Sequence, residues 1–422
     1  MKEDFLHYLW QYSLYSTPLL INSGEMVEVI NPGEYNTDSG PDFFNAKLKI
    51  GDTLWAGNVE IHVNASDWIK HNHQNNDAYD NIILHVVANN DYQVVRKNGN
   101  AIPTLELKAP KNIYEQYLYL MQNNDWVPCE AFISSMDEFT ILQCKEALLV
   151  ERLKDKSEII EHRFIANNNN WEETFYQTLA YNFGFKTNSQ PFEMLAKSIP
   201  ISYLAKHKDQ LSLIEAMLFG QSGLLNIDLS DEYIIQLAKD YKHLATKFSL
   251  KALNSSLWKF MRLRPANFPT IRIAQFARLI HESNALFSKL IRANTIGDIQ
   301  ELFSIHASEY WNTHYSFKSI SESKPKRFGL SAFYNIVINT ISPMLFYYGQ
   351  QKKQSEYIEK ALQYLCEIPN EQNSIINKWA DIGIEAKNAF DSQALIQLKN
   401  VYCKNRKCLS CRIGNQVIKH VV

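Results

Sequence analysis

The pattern of hydrophobic positions changes near Pro110. Before that point, the chain alternates apolar and polar residues or carries short apolar runs, which are typical of strands that face a core. A tight turn at Gly51-Asp52 joins two of these strands into a hairpin. We predict a helix over residues 3–12, strands over 26–30, 43–50, 54–63 and 82–88, and weaker strands over 92–95 and 104–107.

After Pro110 the apolar residues recur at helical spacing. The uncharged stretch 328–351 contains Pro343, and it predicts a buried helix broken at that proline rather than a membrane span. Two prolines predict an extended path over 262–272. The other helices are predicted over 138–164, 172–182, 210–219, 231–247, 273–280, 286–293, 358–365, 371–386 and 391–402.

This pattern predicts an α+β protein with three parts. An α/β domain covers 1–110, a mostly helical domain covers 111–398, and a basic cysteine-containing terminus covers 399–422. With 422 residues, 45% of them hydrophobic and 12% aromatic, the chain has ample material for a core, which excludes disorder as its main state.

The near-neutral total charge is the sum of an acidic N-terminal part and a basic remainder. The chain carries a formal charge of -2, but residues 1–110 have 7 basic and 14 acidic side chains, and the remainder has 36 and 31. The total therefore does not exclude a phosphate-bearing partner that contacts the basic part. The first residues carry acids where a secretion signal needs positive charge, so we expect a cytoplasmic protein with no membrane partner.

Acidic residues stand on both strands of the predicted hairpin. Asp42 begins one strand, and Glu60 and His62 lie two residues apart on the next, so their side chains share a face. The hairpin brings Asp42 beside Glu60. Paired carboxylates can hold Mg²⁺ or Mn²⁺, which activates water and neutralises charge on a phosphate. The structural alternative is that Asp42 shapes the turn and Glu60 pairs with Lys47.

In Pro41-Asp42 and Glu60-Ile61-His62, the sequence resembles the PD-(D/E)XK nuclease superfamily over about its first 90 residues. The resemblance implies a restriction-endonuclease-like core with the element order α-β-β-β-α-β and a metal-dependent nuclease activity. His62 stands where that superfamily has a lysine, so the role of orienting or activating water passes to His62. Over the whole chain, the sequence also resembles an uncharacterised bacterial family of unknown function.

A second candidate site lies in the loop that follows the hairpin. Asp67, His71, His73 and Asp77 are spaced Asp-x3-His-x-His-x3-Asp. Imidazole and carboxylate groups bind Zn²⁺, Mn²⁺ or Fe²⁺, which favours a His/Asp metallohydrolase of a small molecule. The alternative is a polar loop whose histidines line the neighbouring acidic cleft. We expect His85, inside an apolar strand, to be a hydrogen-bonded core histidine.

Three cysteines near the end of the chain are spaced C-x4-C-x2-C, namely Cys403, Cys408 and Cys411. A closed tetrahedral site needs a fourth ligand, and Cys129 is our first choice. The arrangement resembles the iron–sulfur staple of some helicase-associated and CRISPR-associated nucleases, which implies a [4Fe–4S] cluster. Zinc is the alternative, and free thiols are a third possibility.

Arginines of the helical part offer a phosphate-binding surface. Arg262, Arg264 and Arg272 lie in one proline-containing stretch, and guanidinium groups suit phosphate oxygens. The alternative is a solvated face, with arginines that pair with the surplus acids of residues 1–110. Three functions follow, in order of preference: a metal-dependent phosphodiesterase, most simply a nuclease acting on DNA or RNA; an inactive nuclease-like scaffold that binds nucleic acid or protein; and a metallohydrolase. The sequence does not predict the oligomeric state.

Overall fold

The computed structural model describes residues 1–225, 231–283 and 285–419. The chain forms two compact units. The first unit comprises Met1–Cys144 together with the segment from Leu398 onward, and the second comprises Lys145–Gln397. The architecture is mixed α+β, with a sheet in the first unit and helices throughout the second.

The first unit is built on one mixed sheet. The strands are β1 Val27–Asn31, β2 Glu34–Tyr35, β3 Phe43–Ile50, β4 Thr53–Asn64, β5 Ile82–Asn89 and β6 Thr104–Glu106. Their order is β1-β3-β4-β5-β6, with β2 on the side of β3. The pairs β1–β3 and β3–β4 are antiparallel, whereas β4–β5 and β5–β6 are parallel. Residues 82–87 of β5 are all buried, as the short apolar run predicted.

Eighteen helices are found in the described residues. They are α1 Glu3–Gln11, α2 Asp67–Lys70, α3 Lys111–Gln122, α4 Glu138–Ala166, α5 Trp171–Phe183, α6 Ser189–Ser198, α7 Ile201–Ala205, α8 Leu211–Gln221, α9 Glu232–Phe248, α10 Pro269–Glu282, α11 Leu286–Arg292, α12 Ile296–Leu302, α13 Leu330–Ile336, α14 Ser342–Lys352, α15 Ser355–Glu367, α16 Ser374–Asp381, α17 Ala389–Gln397 and α18 Arg412–Lys419. Most of the predicted helices are confirmed, but α3, α6, α7, α12 and α18 were not predicted.

Further short elements complete the two units. The first unit contains 3-10 turns at His73–Asn75, Asp77–Tyr79, Glu130–Ser135 and Cys408–Ser410, and a π-helical stretch at Leu398–Cys403. The second unit contains 3-10 turns at Ser255–Leu257, Pro265–Asn267 and Glu309–Asn312, a π-helical stretch at Val337–Ile341, and the paired strands β7 His314–Ser316 and β8 Ser319–Ile320.

The predicted break at Pro343 is a π-helical turn. Pro343 has no N–H for the carbonyl oxygen of Asn339, and that oxygen accepts a hydrogen bond from Asn182 Nδ2 at 3.0 Å instead. Lys156 Nζ donates to the preceding carbonyl, that of Ile338, also at 3.0 Å. Because side chains satisfy these carbonyl groups, the helical path continues through Val337–Ile341 into α14.

Two other predictions need correction. The stretch 262–272 is not extended throughout, because α10 begins at Pro269. Proline is tolerated at the first position of a helix, where a backbone N–H would have no partner within the helix. Residues 92–95 form no strand, since Val95 makes a single bridge to Ala101. None of the helices in the described part of the chain combines the length and the apolar run needed to span a bilayer.

Candidate functional site

The strand β4 carries two of the site residues on one face. Glu60 and His62 are two residues apart, and both are buried, at 4% and 1% exposure. Parallel pairing with β5 places Glu60 opposite His85. His62 Nδ1 lies 2.8 Å from His85 Nε2. If Nδ1 of His62 carries the proton of this hydrogen bond, Nε2 is left with a lone pair that faces the site.

Asp42 and Glu60 are adjacent. The N–H of Ile61 donates to Asp42 Oδ2 at 2.9 Å, and the N–H of Asp42 donates to Glu60 Oε2 at 3.2 Å. These bonds are made at the start of β3, next to a bulge at Asn45, whose φ is 58°. Glu60 does not pair with Lys47, which is exposed and lies opposite Ala56.

The loop after β4 adds two histidines to the same place. His71 Nδ1 lies 3.1 Å from His62 Nε2, and His73 Nε2 lies 3.3 Å from Glu60 Oε1. Glu60 Oε1 is also 3.6 Å from His62 Nε2. The two sites that the sequence presented as alternatives therefore share residues, with His71 and His73 joining Glu60 and His62.

Three of these side chains have the spacing of a metal-ligand set, and Glu60 lies next to two of them. The ligand atoms of His62, His71 and His73 all lie within 4.8 Å of one another. A metal ion held by bonds of about 2.0 to 2.2 Å keeps adjacent ligand atoms roughly 3 to 3.5 Å apart. The separations of 3.1, 3.3 and 3.6 Å match such a polyhedron. His73 Nε2 is buried and makes no hydrogen bond, so it is available as a ligand.

Two predicted carboxylates of the loop lie elsewhere. Asp67 accepts a hydrogen bond from the N–H of Asn64 at 2.9 Å and pairs with Lys70 at 2.6 Å. Asp77 has a side chain that is 82% exposed, and it pairs with Lys97. The structure does not bring either carboxylate to the four-residue cluster, which we call the His/Glu centre (Glu60, His62, His71 and His73).

Aromatic side chains fix one wall of the His/Glu centre. Tyr79 stacks on His73 with ring centroids 3.8 Å apart, and Trp68 meets the same imidazole edge-on at 5.4 Å. Trp68 and Tyr79 belong to a buried apolar cluster at this end of the sheet. His71 is exposed, so the centre has a buried floor and an open side.

Burial dominates the electrostatics of the centre. It lowers the pKa of His62 to about 2 and of His85 to about 4, with neighbouring histidines adding to the effect. Burial also lowers the pKa of His73. These imidazoles are therefore neutral at pH 7, which is the form that binds metals. Burial and the charge of Asp42 raise the pKa of Glu60, so its anion needs a nearby positive charge.

The residue His7 was not assigned a role from the sequence, although it lies at the site. His7 Nε2 in α1 is 3.3 Å from Asp42 Oδ2. Burial alone would lower the pKa of His7, but the hydrogen bond and the charge of Asp42 outweigh it and raise the pKa. The only sequence signal was its place among the histidines that cluster before residue 86.

The imidazole of His7 also lines a cavity of about 820 Å³. Tyr35, with 43% exposure, and Tyr12, with 41%, line the same cavity. A second cavity of about 620 Å³ shares Tyr12 and Ser410 with the first. We call the two together the tyrosine groove. Among the described residues, its lining includes one carboxylate, Asp4, and five cations: Lys2, Arg406, Lys407, Arg412 and Lys419.

The predicted phosphate-binding arginines belong to the second unit. Arg262 and Arg264 are exposed. Arg272 is buried, and it donates to Gln275 Oε1 at 3.0 Å and to Asn267 Oδ1 at 2.6 Å. Burial lowers the pKa of Arg272 to about 10. Because its guanidinium is used in packing, Arg272 is not available to a phosphate at the surface.

Comparison with known proteins gives a family but no activity. Residues 3–374 match the family described as protein of unknown function, DUF2851. The chain belongs to the DUF2851 family. The match includes the whole His/Glu centre and Cys129, whereas Cys403, Cys408 and Cys411 lie beyond its end. No curated protein and no solved structure matches the chain.

Proposed function

We propose that this DUF2851 protein is a metal-dependent phosphodiesterase that acts on nucleic acid. The observation that carries the proposal is the convergence of three imidazole nitrogens within 4.8 Å of one another, with Glu60 Oε1 at 3.6 Å from His62 and 3.3 Å from His73. A divalent cation held by such ligands activates water and neutralises the charge that develops on a phosphate. This donor set suits Mn²⁺, Zn²⁺ or Fe²⁺ better than Mg²⁺, which prefers oxygen ligands.

The neighbouring residues have distinct roles in this proposal. The hydrogen bond with His85 orients the imidazole of His62 so that Nε2 would face a metal ion bound at the centre. Asp42 positions β4 through the N–H of Ile61 and faces His7. His7 lies between Asp42 and the cavity, so it can pass a proton to or from a group bound there.

The order of elements supports a restriction-endonuclease-like core. Apart from the two-residue strand β2, the chain runs α1, β1, β3, β4, α2 and β5, which is the α-β-β-β-α-β order of that fold. The central hairpin is antiparallel and the last strand is parallel to β4. The centre differs from that of the PD-(D/E)XK superfamily in the three histidines that accompany Glu60.

The tyrosine groove supports nucleic acid as the substrate. Cations that follow a groove bind a phosphate backbone, and exposed tyrosines stack on bases. Tyr12 and Tyr35 are exposed enough to do so, and Tyr35 stands beside His7 with ring centroids 5.5 Å apart. Because paired bases offer no free faces, we propose a single-stranded substrate.

An activity assay with matched variants tests this proposal. Purified protein is incubated with Mn²⁺ or Zn²⁺ and with labelled single-stranded and duplex DNA and RNA. We expect single strands to be cleaved, Glu60→Gln and His73→Ala to abolish cleavage, and His85→Ala to reduce it about 10- to 100-fold. Asp77→Asn is the matched control, because Asp77 is an exposed carboxylate outside the centre, and it should retain full activity.

The same assay distinguishes the other two functions. Cleavage that survives both Glu60→Gln and His73→Ala would contradict the proposed centre. Binding without cleavage in either metal would favour the nuclease-like scaffold. Hydrolysis of bis(p-nitrophenyl) phosphate that depends on Glu60, without cleavage of any nucleic acid, would favour the metallohydrolase of a small molecule.

A further inference from the structure

The C-terminal segment is fastened to the loop that contains Cys129. Lys399 Nζ donates to the carbonyl oxygen of Trp126. Arg406 donates to the carbonyl oxygen of Leu120 and to Asn124 Oδ1, each at 3.1 Å. These contacts, on both sides of Cys403, bring residues 403–411 beside residues 120–129.

Four thiols lie on these two segments. Cys129, Cys408 and Cys411 are 6%, 6% and 8% exposed, and Cys403 is half-buried. None of them forms a disulfide. Burial and then the charges of Cys129, Cys411 and Cys408 raise the pKa of Cys403. Burial, Cys411 and Cys408 likewise raise the pKa of Cys129 to about 12.

The local backbone is arranged for a thiolate at Cys411. This residue immediately precedes α18, and its pKa is lowered first by a hydrogen bond with Cys144 and then by the N–H groups of Gly414 and Ile413. A Cβ at Gly414 would stand 2.3 Å from the carbonyl oxygen of Cys408. Only glycine therefore lets the first turn of α18 approach the Cys408 segment this closely.

We propose that Cys129, Cys403, Cys408 and Cys411 bind a metal centre that ties the C-terminal segment to the rest of the first unit. Four thiolates complete a ligand set and leave no open position, so the centre is structural. The proposal does not depend on the activity of the His/Glu centre.

The spacing of the sulfurs favours an iron–sulfur cluster over a single zinc ion. Zinc holds four sulfurs at about 2.3 Å from one point, which places them roughly 3.8 Å apart. Among the described residues, however, no three cysteine sulfurs all lie within 4.8 Å of one another. A [4Fe–4S] cluster is larger than one ion and holds its four thiolates farther apart. Of the two groups, the [4Fe–4S] cluster fits this wider spacing better.

The test is metal and sulfide analysis of the full chain purified without oxygen. We expect about four iron and four sulfide ions per chain and an absorbance band near ~400 nm. One zinc per colourless chain would support the four-thiolate site but overturn the cluster. Protein that contains neither metal, and in which all four thiols react with Ellman's reagent in the native state, would overturn the site.

Single substitutions identify the ligands. Cys403→Ser should lose the iron, and because Cys403 is only half-buried, circular dichroism can check that this variant still folds. Cys366→Ser is the control, since Cys366 is exposed and lies in the second unit. Cys144 contacts Cys411, so it is the alternative fourth ligand. Iron that is lost in Cys144→Ser but retained in Cys403→Ser would overturn the assignment.

Discussion

His62, His71 and His73 reach one point because a short loop returns over the end of β4. Asn72, between the two loop histidines, takes a left-handed backbone conformation with a φ of 61°. Asparagine tolerates this conformation better than most residues, and it bends the chain there. The ring of Tyr79 then packs against His73. The arrangement of the centre thus depends on one backbone conformation as well as on the identity of its ligands.

The residue Gly57 fixes the contact between β4 and β5 just before Glu60. A Cβ at this position would stand 2.4 Å from Ile83 Cγ2 and 2.8 Å from the carbonyl oxygen of Asn81. We predict that Gly57→Ala forces the two strands apart and lowers the free energy of unfolding by about 1 to 3 kcal/mol. Urea unfolding followed by circular dichroism measures the change.

A second glycine provides the control. Gly297 lies in α12, and its nearest atom to an added Cβ is Thr295 Oγ1 at 3.5 Å, an ordinary contact. Gly297→Ala should be neutral or should stabilise the protein by up to about 1 kcal/mol, because alanine favours helix. Equal effects of the two substitutions would show that the contact of Gly57 with β5 is not tight.

At the scale of elements, the hairpin of β3 and β4 follows from its sequence. Alternating residues, the turn at Gly51-Asp52 and the strand lengths predict that Asp42 meets Glu60, and the structure brings them together. The path of the loop after β4 could not be predicted, because its polar residues have no periodicity. For that reason the sequence left two interpretations of His71 and His73 open, a separate metal site and histidines that line the acidic cleft, and the structure places them beside His62 and Glu60.

The continuous helical path through Pro343 could not be predicted either, because it depends on contacts with residues far away in the sequence. A proline within a helical pattern predicts a break, because it removes a hydrogen bond within the helix. Here Asn182 and Lys156, more than 150 residues earlier in the chain, donate to the carbonyl groups of Asn339 and Ile338. The sequence around Pro343 does not identify these partners.

Burial of Glu215 in α8 predicts a pH dependence of stability. Its carboxyl accepts a hydrogen bond from Tyr233 in α9 at 3.0 Å, and burial raises its pKa to about 7. The folded protein therefore holds a proton that the unfolded chain releases near pH 4.5. This contribution to stability is complete below pH 4.5 and is lost as the pH rises to 7, by up to about 3 kcal/mol.

The variant Glu215→Gln isolates this contribution, because its side chain cannot ionise. The free energy of unfolding, measured in urea from pH 5 to 8, should fall with pH more steeply in the unmodified protein than in the variant. Parallel curves for the two proteins would show that Glu215 has an ordinary pKa in the folded state.

At the scale of the whole molecule, acidic and basic residues that are far apart in the sequence are found in the same unit. The acidic residues 1–110 and the basic C-terminal segment belong to one unit. Arg412 and Lys419 of that segment line the tyrosine groove together with Lys2. Cations from the far end of the chain therefore line the groove that His7 also lines. The sequence did not predict this arrangement, because the segments involved are far apart along the chain.

The most direct test of the central claim is the location of bound Mn²⁺ by anomalous diffraction from crystals of the full chain. We predict one manganese peak within about 2.0 to 2.3 Å of His62 Nε2, His71 Nδ1, His73 Nε2 and Glu60 Oε1. The peak should disappear in Glu60→Gln crystals grown in the same solution. Saturated crystals with no peak at these atoms, or with manganese bound only at Asp67 or Asp77, would contradict the His/Glu centre.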